Sequence, residues 1–140
     1  MRHTHLPVLR RRLIAAVLLA VATAACSDPL APHRDIDAAR ADWLAAGIAD
    51  YRFEVSVVAF LGTDGYVAIR VEDDTVVSVD GEMWHPLTIA GLWDEILAAR
   101  ESGYLNHAVF DHRGVPIDVS MGNMSDDSGV RYLVRRFRPE

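Results

Sequence analysis

The stretch Tyr51-Arg52-Phe53-Glu54-Val55-Ser56-Val57 decides the fold, because apolar and polar side chains alternate along it without a break. Alternation with a period of two is typical of a β-strand that is buried on one face and exposed on the other. The same period returns in 66–72, after a predicted turn at 61–65, and Asp73-Asp74 then makes a tight reversal into a third strand at 75–79. Because short polar turns join antiparallel neighbours, these segments predict a three-stranded meander.

Two helices are predicted, one before and one after this meander along the chain. The first follows Asp35, which is suited to capping, and ends at Gly47; its apolar face consists of Ile36, Ala39, Trp43 and Leu44. The second follows Thr88 and ends at Gly103; its apolar stripe consists of Ile89, Leu92, Trp93, Ile96 and Leu97. Both stripes have the spacing of a helix that packs one face against a core.

Three more strands are predicted in the C-terminal part of the chain, at 104–110, 116–121 and 130–138. A turn at 111–114 and a polar loop at 122–129 connect them, and these connections are too short for parallel crossovers. The sequence therefore predicts an α+β fold, with an antiparallel sheet of about six strands and two helices on one face, in the order α-βββ-α-βββ.

The N-terminal segment has the character of an export signal. Arg10-Arg11-Arg12 precede an apolar run at 13–21, and Thr23-Ala24-Ala25 lead to Cys26. A positive start, a short apolar core and small residues at the exit are typical of a secretory signal. The run is also shorter than the roughly 20 residues that a spanning helix needs. Both the general secretory route and the twin-arginine route remain open.

Thr23-Ala24-Ala25-Cys26 resembles the lipobox of bacterial lipoproteins. The resemblance implies cleavage before Cys26 and fatty-acyl chains, such as palmitate, on this residue; two or more acyl chains hold a protein stably on a bilayer. We therefore expect a signal peptide at 1–25, a tether at 26–34 and a single domain at 35–140. The expected location is the extracytoplasmic side of the cell membrane or the outer membrane.

The charge of the expected mature chain limits its partners. Residues 26–140 contain ten Arg, no Lys and twenty Asp and Glu, for a net charge of −10 with His neutral. Nucleic acids and anionic lipid headgroups are bound by basic surfaces, so neither is an expected partner. Cys26 is the one cysteine in the sequence, so no disulfide is expected within the domain and its stability must come from packing.

A family resemblance is carried by Trp43 and by the segments 51–55, 66–71, 74–79, 88–99 and 110–116. Together they resemble the domain of unknown function 6174 family, which consists of small bacterial lipoproteins and exported proteins. The resemblance covers roughly 43–137 and implies no activity. Where the family usually has Cys-Phe-Cys, this chain has Ala59-Phe60-Leu61, so a disulfide or thiol role is not expected there. The family's Asp-x-x-x-Gly-Tyr-Pro turn corresponds to 111–116, with Val115 in place of Tyr and one residue fewer.

Two groups of residues are candidates for a ligand or partner site: Asp111, His112 and Arg113 in a predicted turn, and Arg131 and Arg135 on the last strand. Strand alternation places Arg131 and Arg135 on one face and Arg136 and Arg138 on the other. These arginines could pair with acids on neighbouring strands, charge an edge against aggregation, or bind an anion or a partner.

A metal site is conceivable at the end of the fourth predicted strand, where His107 and His112 stand on either side of Asp111. Imidazole and carboxylate groups suit zinc, but no His-Glu-x-x-His motif is present. The structural alternative is that His107 packs or hydrogen-bonds within the sheet while His112 is an exposed turn residue. No cofactor and no catalytic residue is predicted.

The sequence thus supports two hypotheses. The leading one is a non-enzymatic, lipid-anchored protein of the cell envelope whose open sheet face binds a protein partner. The alternative is a small metal-assisted hydrolase that uses His107, Asp111 and His112.

Overall fold

The computed structural model describes residues 35–59, 62–63, 65–83, 85–123 and 125–140, with the backbone alone at 62–63. The predicted signal peptide, the tether and Cys26 lie outside the described residues. The elements in chain order are α1 (Ile36–Ala46), β1 (Tyr51–Ala59), β2 (Gly62–Thr63), β3 (Val67–Glu72), β4 (Thr75–Asp80), α2 (Ile89–Glu101), β5 (Leu105–Phe110), β6 (Pro116–Met121) and β7 (Val130–Pro139). Neither of these helices combines the length and the apolar character needed to cross a bilayer.

The main strands form one antiparallel sheet in the spatial order β4-β3-β1-β7-β6-β5. The first and last strands meet at its centre, and α2 connects the two edge strands. The predicted α+β class and the order α-βββ-α-βββ are confirmed. The prediction of a simple turn at 61–65 is wrong in part, because Gly62–Thr63 pairs with the end of β1 as β2. Two residues are too few to show alternation.

The helix ends are formed as the sequence predicts. The Asp35 carboxylate accepts a hydrogen bond from the Asp37 N–H, and Gly47 closes α1 in the left-handed conformation at φ 57°. The Thr88 hydroxyl accepts from the Gly91 N–H at the start of α2. One prediction fails: Leu44 is 64% exposed. Each helical residue advances about 100° around the axis, so with Trp43 directed at the core, Leu44 turns to solvent.

Both helices cover the same face of the sheet. The ring of Trp43 on α1 meets Tyr51 and Phe137 edge-on, at centroid distances of 5.8 and 5.9 Å. Trp93 on α2 stacks on Phe110 at 4.8 Å with an interplanar angle of 3°. The Tyr51 hydroxyl also accepts a hydrogen bond from the N–H of Ile89, which satisfies one of the unpaired donors at the start of α2.

A β-bulge interrupts the alternation of β7. In the pairing with β1, Arg52 is opposite Arg138 and Glu54 is opposite Arg135, so β7 has one extra residue there. Arg136 takes a positive φ of 53° within the bulge. Because an extra residue inverts the alternation, Phe137 joins the core face while Arg135 and Arg136 both contact Glu54. The predicted division of the arginines between two faces is therefore wrong.

Candidate functional site

The face of the sheet opposite the helices, here called the open face, is rich in arginine. On β1, the buried Tyr51, Phe53 and Val55 alternate with Arg52 and Glu54, which therefore point away from the helices. Strand pairing extends this surface to the neighbouring strands. Residues 35–140 contain nine arginines. Six of them belong to the open face, namely Arg52, Arg70, Arg131, Arg135, Arg136 and Arg138.

Three of these arginines lie in register across three adjacent strands. Arg70 on β3 is opposite Arg52 on β1, and Arg52 is in turn opposite Arg138 on β7. We call Arg70, Arg52 and Arg138 the arginine ladder. Side chains directly opposite each other in an antiparallel pair have Cβ atoms about 4.5–5.5 Å apart, and like charges in such positions are destabilising. The ladder therefore concentrates positive charge at the centre of the sheet.

Glu140 neutralises one half of the ladder. Its carboxylate accepts a hydrogen bond of 2.9 Å from Arg70 Nε through Oε2 and contacts Arg52 Nε through Oε1. The hydrogen bond from Arg70, together with the charge of Arg52, lowers the pKa of Glu140. Within the described part of the chain, no acidic side chain forms an ion pair with Arg138.

Next to the ladder, Glu54 binds two arginines at once. Its Oε2 accepts from Arg135 Nε and its Oε1 accepts from Arg136 Nη1, both at 2.7 Å. The hydrogen bonds from Arg135 and Arg136, in this order of importance, lower the pKa of Glu54. The Arg135 guanidinium also lies 3.4 Å from the centroid of the Tyr66 ring, a cation–π contact that holds it from a second side.

A cleft of about 370 Å³ opens between the ladder and Glu54. Its lining residues are Arg52, Phe53, Glu54, Ala68, Arg136 and Arg138. Ala68 is opposite Glu54 and two residues from both Tyr66 and Arg70. A methyl side chain between such large neighbours leaves a depression in the face. With three arginines and one glutamate, the lining has a net charge of +2, although the domain as a whole is acidic.

A separate ion pair lies towards β5. Arg131 donates two hydrogen bonds to the Asp118 carboxylate, at 2.8 and 2.6 Å. His107 Nε2 lies 3.9 Å from the same carboxylate. The hydrogen bonds from Arg131 are the main reason that the pKa of Asp118 is lowered. Arg131 is thus held by an acid on the neighbouring strand, and His107 belongs to the sheet surface.

The turn between β5 and β6 holds itself together through Asp111. Asp111 Oδ1 accepts from the backbone N–H groups of Arg113 and Val115, at 2.8 and 2.9 Å. Asp111 Oδ2 accepts from the Arg113 guanidinium at 3.1 and 3.0 Å. The guanidinium of Arg113 then lies 4.8 Å from the centroid of the Phe137 ring, on the helix side of the sheet. The polar groups of the turn therefore satisfy one another.

The same turn anchors both helices. Trp93 Nε1 donates a buried hydrogen bond of 3.1 Å to the carbonyl of Gly114. Gly114 has φ 77°, and a Cβ at this position would lie 1.9 Å from the carbonyl oxygen of Ala39 on α1. Only glycine permits both the conformation and the close approach. His112 is the exposed residue of this turn.

The structure divides the predicted candidates between two places. Arg131 and Arg135 lie on the open face, whereas Asp111 and Arg113 lie in a turn that contacts the helix side. His107, Asp111 and His112 are not brought together: the described residues contain no group of three His, Cys, Asp or Glu that could hold a metal ion. Cys26 lies outside the described residues.

Sequence reasoning missed four members of the open-face site: Arg52, Arg70, Glu54 and Tyr66. All four alternate with the inward-facing apolar residues of 51–57 and 66–72, so the sequence already indicated that they lie on the outward face. Their assembly depends on the register between β1 and β7, whose paired residues are far apart along the chain, as for Ala59 and Val130 or Tyr51 and Pro139. Local alternation carries no information about such a register.

The fold and this face define a small α+β domain with a helix-covered sheet and a charged, arginine-rich open face. The model of a family of unknown function, DUF6174, matches residues 35–139. The chain therefore belongs to the DUF6174 family, as the sequence resemblance predicted. No curated protein and no solved structure gives a match to the chain.

Proposed function

We propose that this protein is a lipid-anchored domain of the cell envelope that binds a protein partner through its open face and catalyses no reaction. Cys26, as the expected lipidation site, would attach the chain to the membrane, and 26–34 would serve as the tether to the domain. On this proposal the domain lies on the extracytoplasmic side of the cell membrane or the outer membrane.

The observation that carries the proposal is the composition of the open face. It holds six of the nine arginines of 35–140, with the guanidinium of Arg135 stacked on a Tyr66 ring that is 42% exposed. Arginine and tyrosine are enriched at protein interfaces and among the residues that dominate their binding energy. The ion pairs with Glu54 and Glu140 hold the arginines in place, which reduces the side-chain entropy lost on binding.

Site-specific photo-crosslinking in intact cells tests this proposal. A photo-reactive amino acid is placed at Ser78 or Ser120, which lie opposite Arg70 and Arg131 on the open face. Asp94, an exposed residue of α2, is the control position on the helix side. We expect the same envelope protein to be crosslinked from both serine positions and not from position 94. Absence of a crosslinked protein from the open face, or equal capture from position 94, would contradict the proposal.

A further inference from the structure

We propose that the cleft beside Arg138 is a carboxylate-binding site, and that the partner of the open face inserts an Asp or Glu side chain from an acidic segment into it. This inference rests on the proposed function, because it names the chemistry that the protein partner presents. The groups that hold the carboxylate are the guanidinium groups of Arg138, Arg136 and Arg52.

The arginine ladder itself shows which ligand fits. Between Arg70 and Arg52, the position is taken by the Glu140 carboxylate, which contacts both guanidinium groups. Between β1 and β7, Arg52 and Arg138 are likewise two arginines in register. A carboxylate there would complete the alternation of charges across β3, β1 and β7. Guanidinium and carboxylate groups match in planar, two-point hydrogen bonding.

The neighbouring acid is already engaged. Glu54 directs one carboxylate oxygen to Arg135 and the other to Arg136, so both of its oxygens have strong donors. The Glu54 oxygens are therefore directed at Arg135 and Arg136 rather than at Arg138. Arg138 is exposed and lines the cleft, so a side chain can reach it from solvent.

The cleft is large enough to admit a side chain of a partner. Its volume of about 370 Å³ is near the lower end of the range for small-molecule sites. The small Ala68 side chain leaves depth between Tyr66 and Arg70, and the flanking arginines can contact a carboxylate on more than one side. The cleft therefore has room for one carboxylate side chain of a partner.

Charge complementarity favours an acidic protein segment over a membrane or a nucleic acid. The lining of the cleft has a net charge of +2, while the domain has nine Arg against nineteen Asp and Glu over 35–140, for a net charge of −10. An extended polyanionic surface would be repelled by the acids around the face. A short acidic segment can contact the arginines of the cleft without extending over those acids.

The test uses the full lipid-anchored chain in zwitterionic micelles and an acetylated peptide of six glutamates carrying an uncharged fluorophore. Fluorescence anisotropy at low salt measures binding to the wild-type protein and to Arg138→Gln. Arg100→Gln is the matched control, because Arg100 is an exposed arginine that pairs with Asp37 on the helix side. We expect Arg138→Gln to weaken binding about tenfold, as for the loss of a charged hydrogen bond, and Arg100→Gln to leave it nearly unchanged.

Two further measurements distinguish an acidic protein segment from free phosphate and from an anionic membrane as the ligand. Inorganic phosphate competes with the peptide in one, and vesicles containing phosphatidylglycerol are mixed with the Cys26→Ala variant in the other. The inference is overturned by the absence of hexaglutamate binding, by equal losses in Arg138→Gln and Arg100→Gln, or by a preference for phosphate or for the vesicles. Circular dichroism of each variant verifies that it is folded.

The crosslinking experiment distinguishes failure of this inference from failure of the proposed function. If Arg138→Gln leaves capture of the partner from positions 78 and 120 unchanged, the partner-binding function stands and the carboxylate site is refuted. If the peptide binds in an Arg138-dependent way but no partner is captured from the open face, the carboxylate site stands and the proposed function is refuted.

Discussion

Arg138 lies directly opposite Arg52 in the antiparallel pairing of β7 with β1, and both side chains are exposed on the open face. This pair stands at the junction of the two three-stranded halves of the sheet. Two guanidinium groups in such positions repel each other, and Arg70 on the far side of Arg52 adds a third positive charge. The central strands thus keep a local electrostatic conflict that a bound carboxylate would relieve, as expected where binding competes with stability.

The first prediction concerns this conflict. Arg138→Glu replaces repulsion by attraction to Arg52, so we expect it to raise the free energy of unfolding by up to about 1 kcal/mol. Urea denaturation at pH 7 and low salt measures the change, and high salt should reduce it by screening. Arg100→Glu, which breaks the pair with Asp37, should instead be neutral or destabilising. A lower stability of Arg138→Glu would show that repulsion between the ladder arginines does not destabilise the fold.

The second prediction concerns the contact between Gly114 and α1. A Cβ at position 114 would meet the Ala39 carbonyl oxygen at 1.9 Å, so Gly114→Ala must displace α1. We expect a loss of about 3 kcal/mol or more, from overpacking together with the unfavourable left-handed backbone. Gly103→Ala is the control, since Gly103 has nearly the same φ of 78°, and a Cβ there would have no atom within 4 Å apart from its chain neighbours.

For Gly103→Ala, the backbone conformation alone accounts for a loss of about 1 kcal/mol. Urea denaturation of both variants gives the difference between the two losses, which measures the packing of the β5–β6 turn against α1. Equal losses would mean that α1 does not lie against Gly114.

The third prediction is a pH dependence at Glu54. Its pKa is lowered in the folded state from the ordinary value of 4.5 by the hydrogen bonds from Arg135 and Arg136. A lowered pKa contributes stability that is fully present above pH 4.5 and is lost as the pH falls through the folded-state pKa. We therefore expect Glu54→Gln to be less stable than the wild type at pH 7, with a difference that shrinks below pH 4.5.

Urea denaturation at pH 7 and at about pH 3 checks this sign, since the two values lie on opposite sides of the ordinary carboxyl range. Glu101→Gln, on α2, is the matched control for removal of one carboxylate. A stability difference for Glu54→Gln that grows on acidification would contradict the ion pairs described for Glu54.

The fourth prediction concerns the anchor. Because acyl chains on Cys26 would be the attachment to the membrane, Cys26→Ala should move the protein from the membrane fraction to the soluble extracytoplasmic fraction. Immunoblotting of the separated fractions measures the shift, with Arg100→Gln as a variant that should remain membrane-bound. Mass spectrometry of the wild-type protein should show a chain that begins at Cys26 and carries lipid; an unmodified Cys26 would falsify lipidation.

Part of the candidate site was accessible from the sequence. The basic cluster of β7 was visible, and the pairing of Arg131 and Arg135 with acids on neighbouring strands was one of its expected alternatives. The sequence also contains a change in the spacing of the large apolar residues of β7: Val130, Tyr132 and Val134 are two residues apart, whereas Phe137 follows Val134 by three. An odd spacing between core residues indicates a bulge, which would have placed Arg135 and Arg136 on one face.

By itself, the sequence determined the expected cellular location and the positions of the helices and strands. Charge, apolar length and small residues predict the export signal, and the caps at Asp35, Thr88 and Gly47 mark helix ends that the structure confirms. These signals are local: each depends on residues within a few positions of one another, so a linear pattern contains them.

The tertiary structure alone decided which charges meet. The register of β1 against β7 aligns Arg52 with Arg138, and the bulge at Arg136 brings a second arginine to Glu54. The sequence made Asp111 a candidate ligand-binding residue. In the structure, its carboxylate holds together the β5–β6 turn, which packs against α1. Register and packing follow from burial of the whole core at once, and for this reason the arginine ladder arises only in the folded sheet.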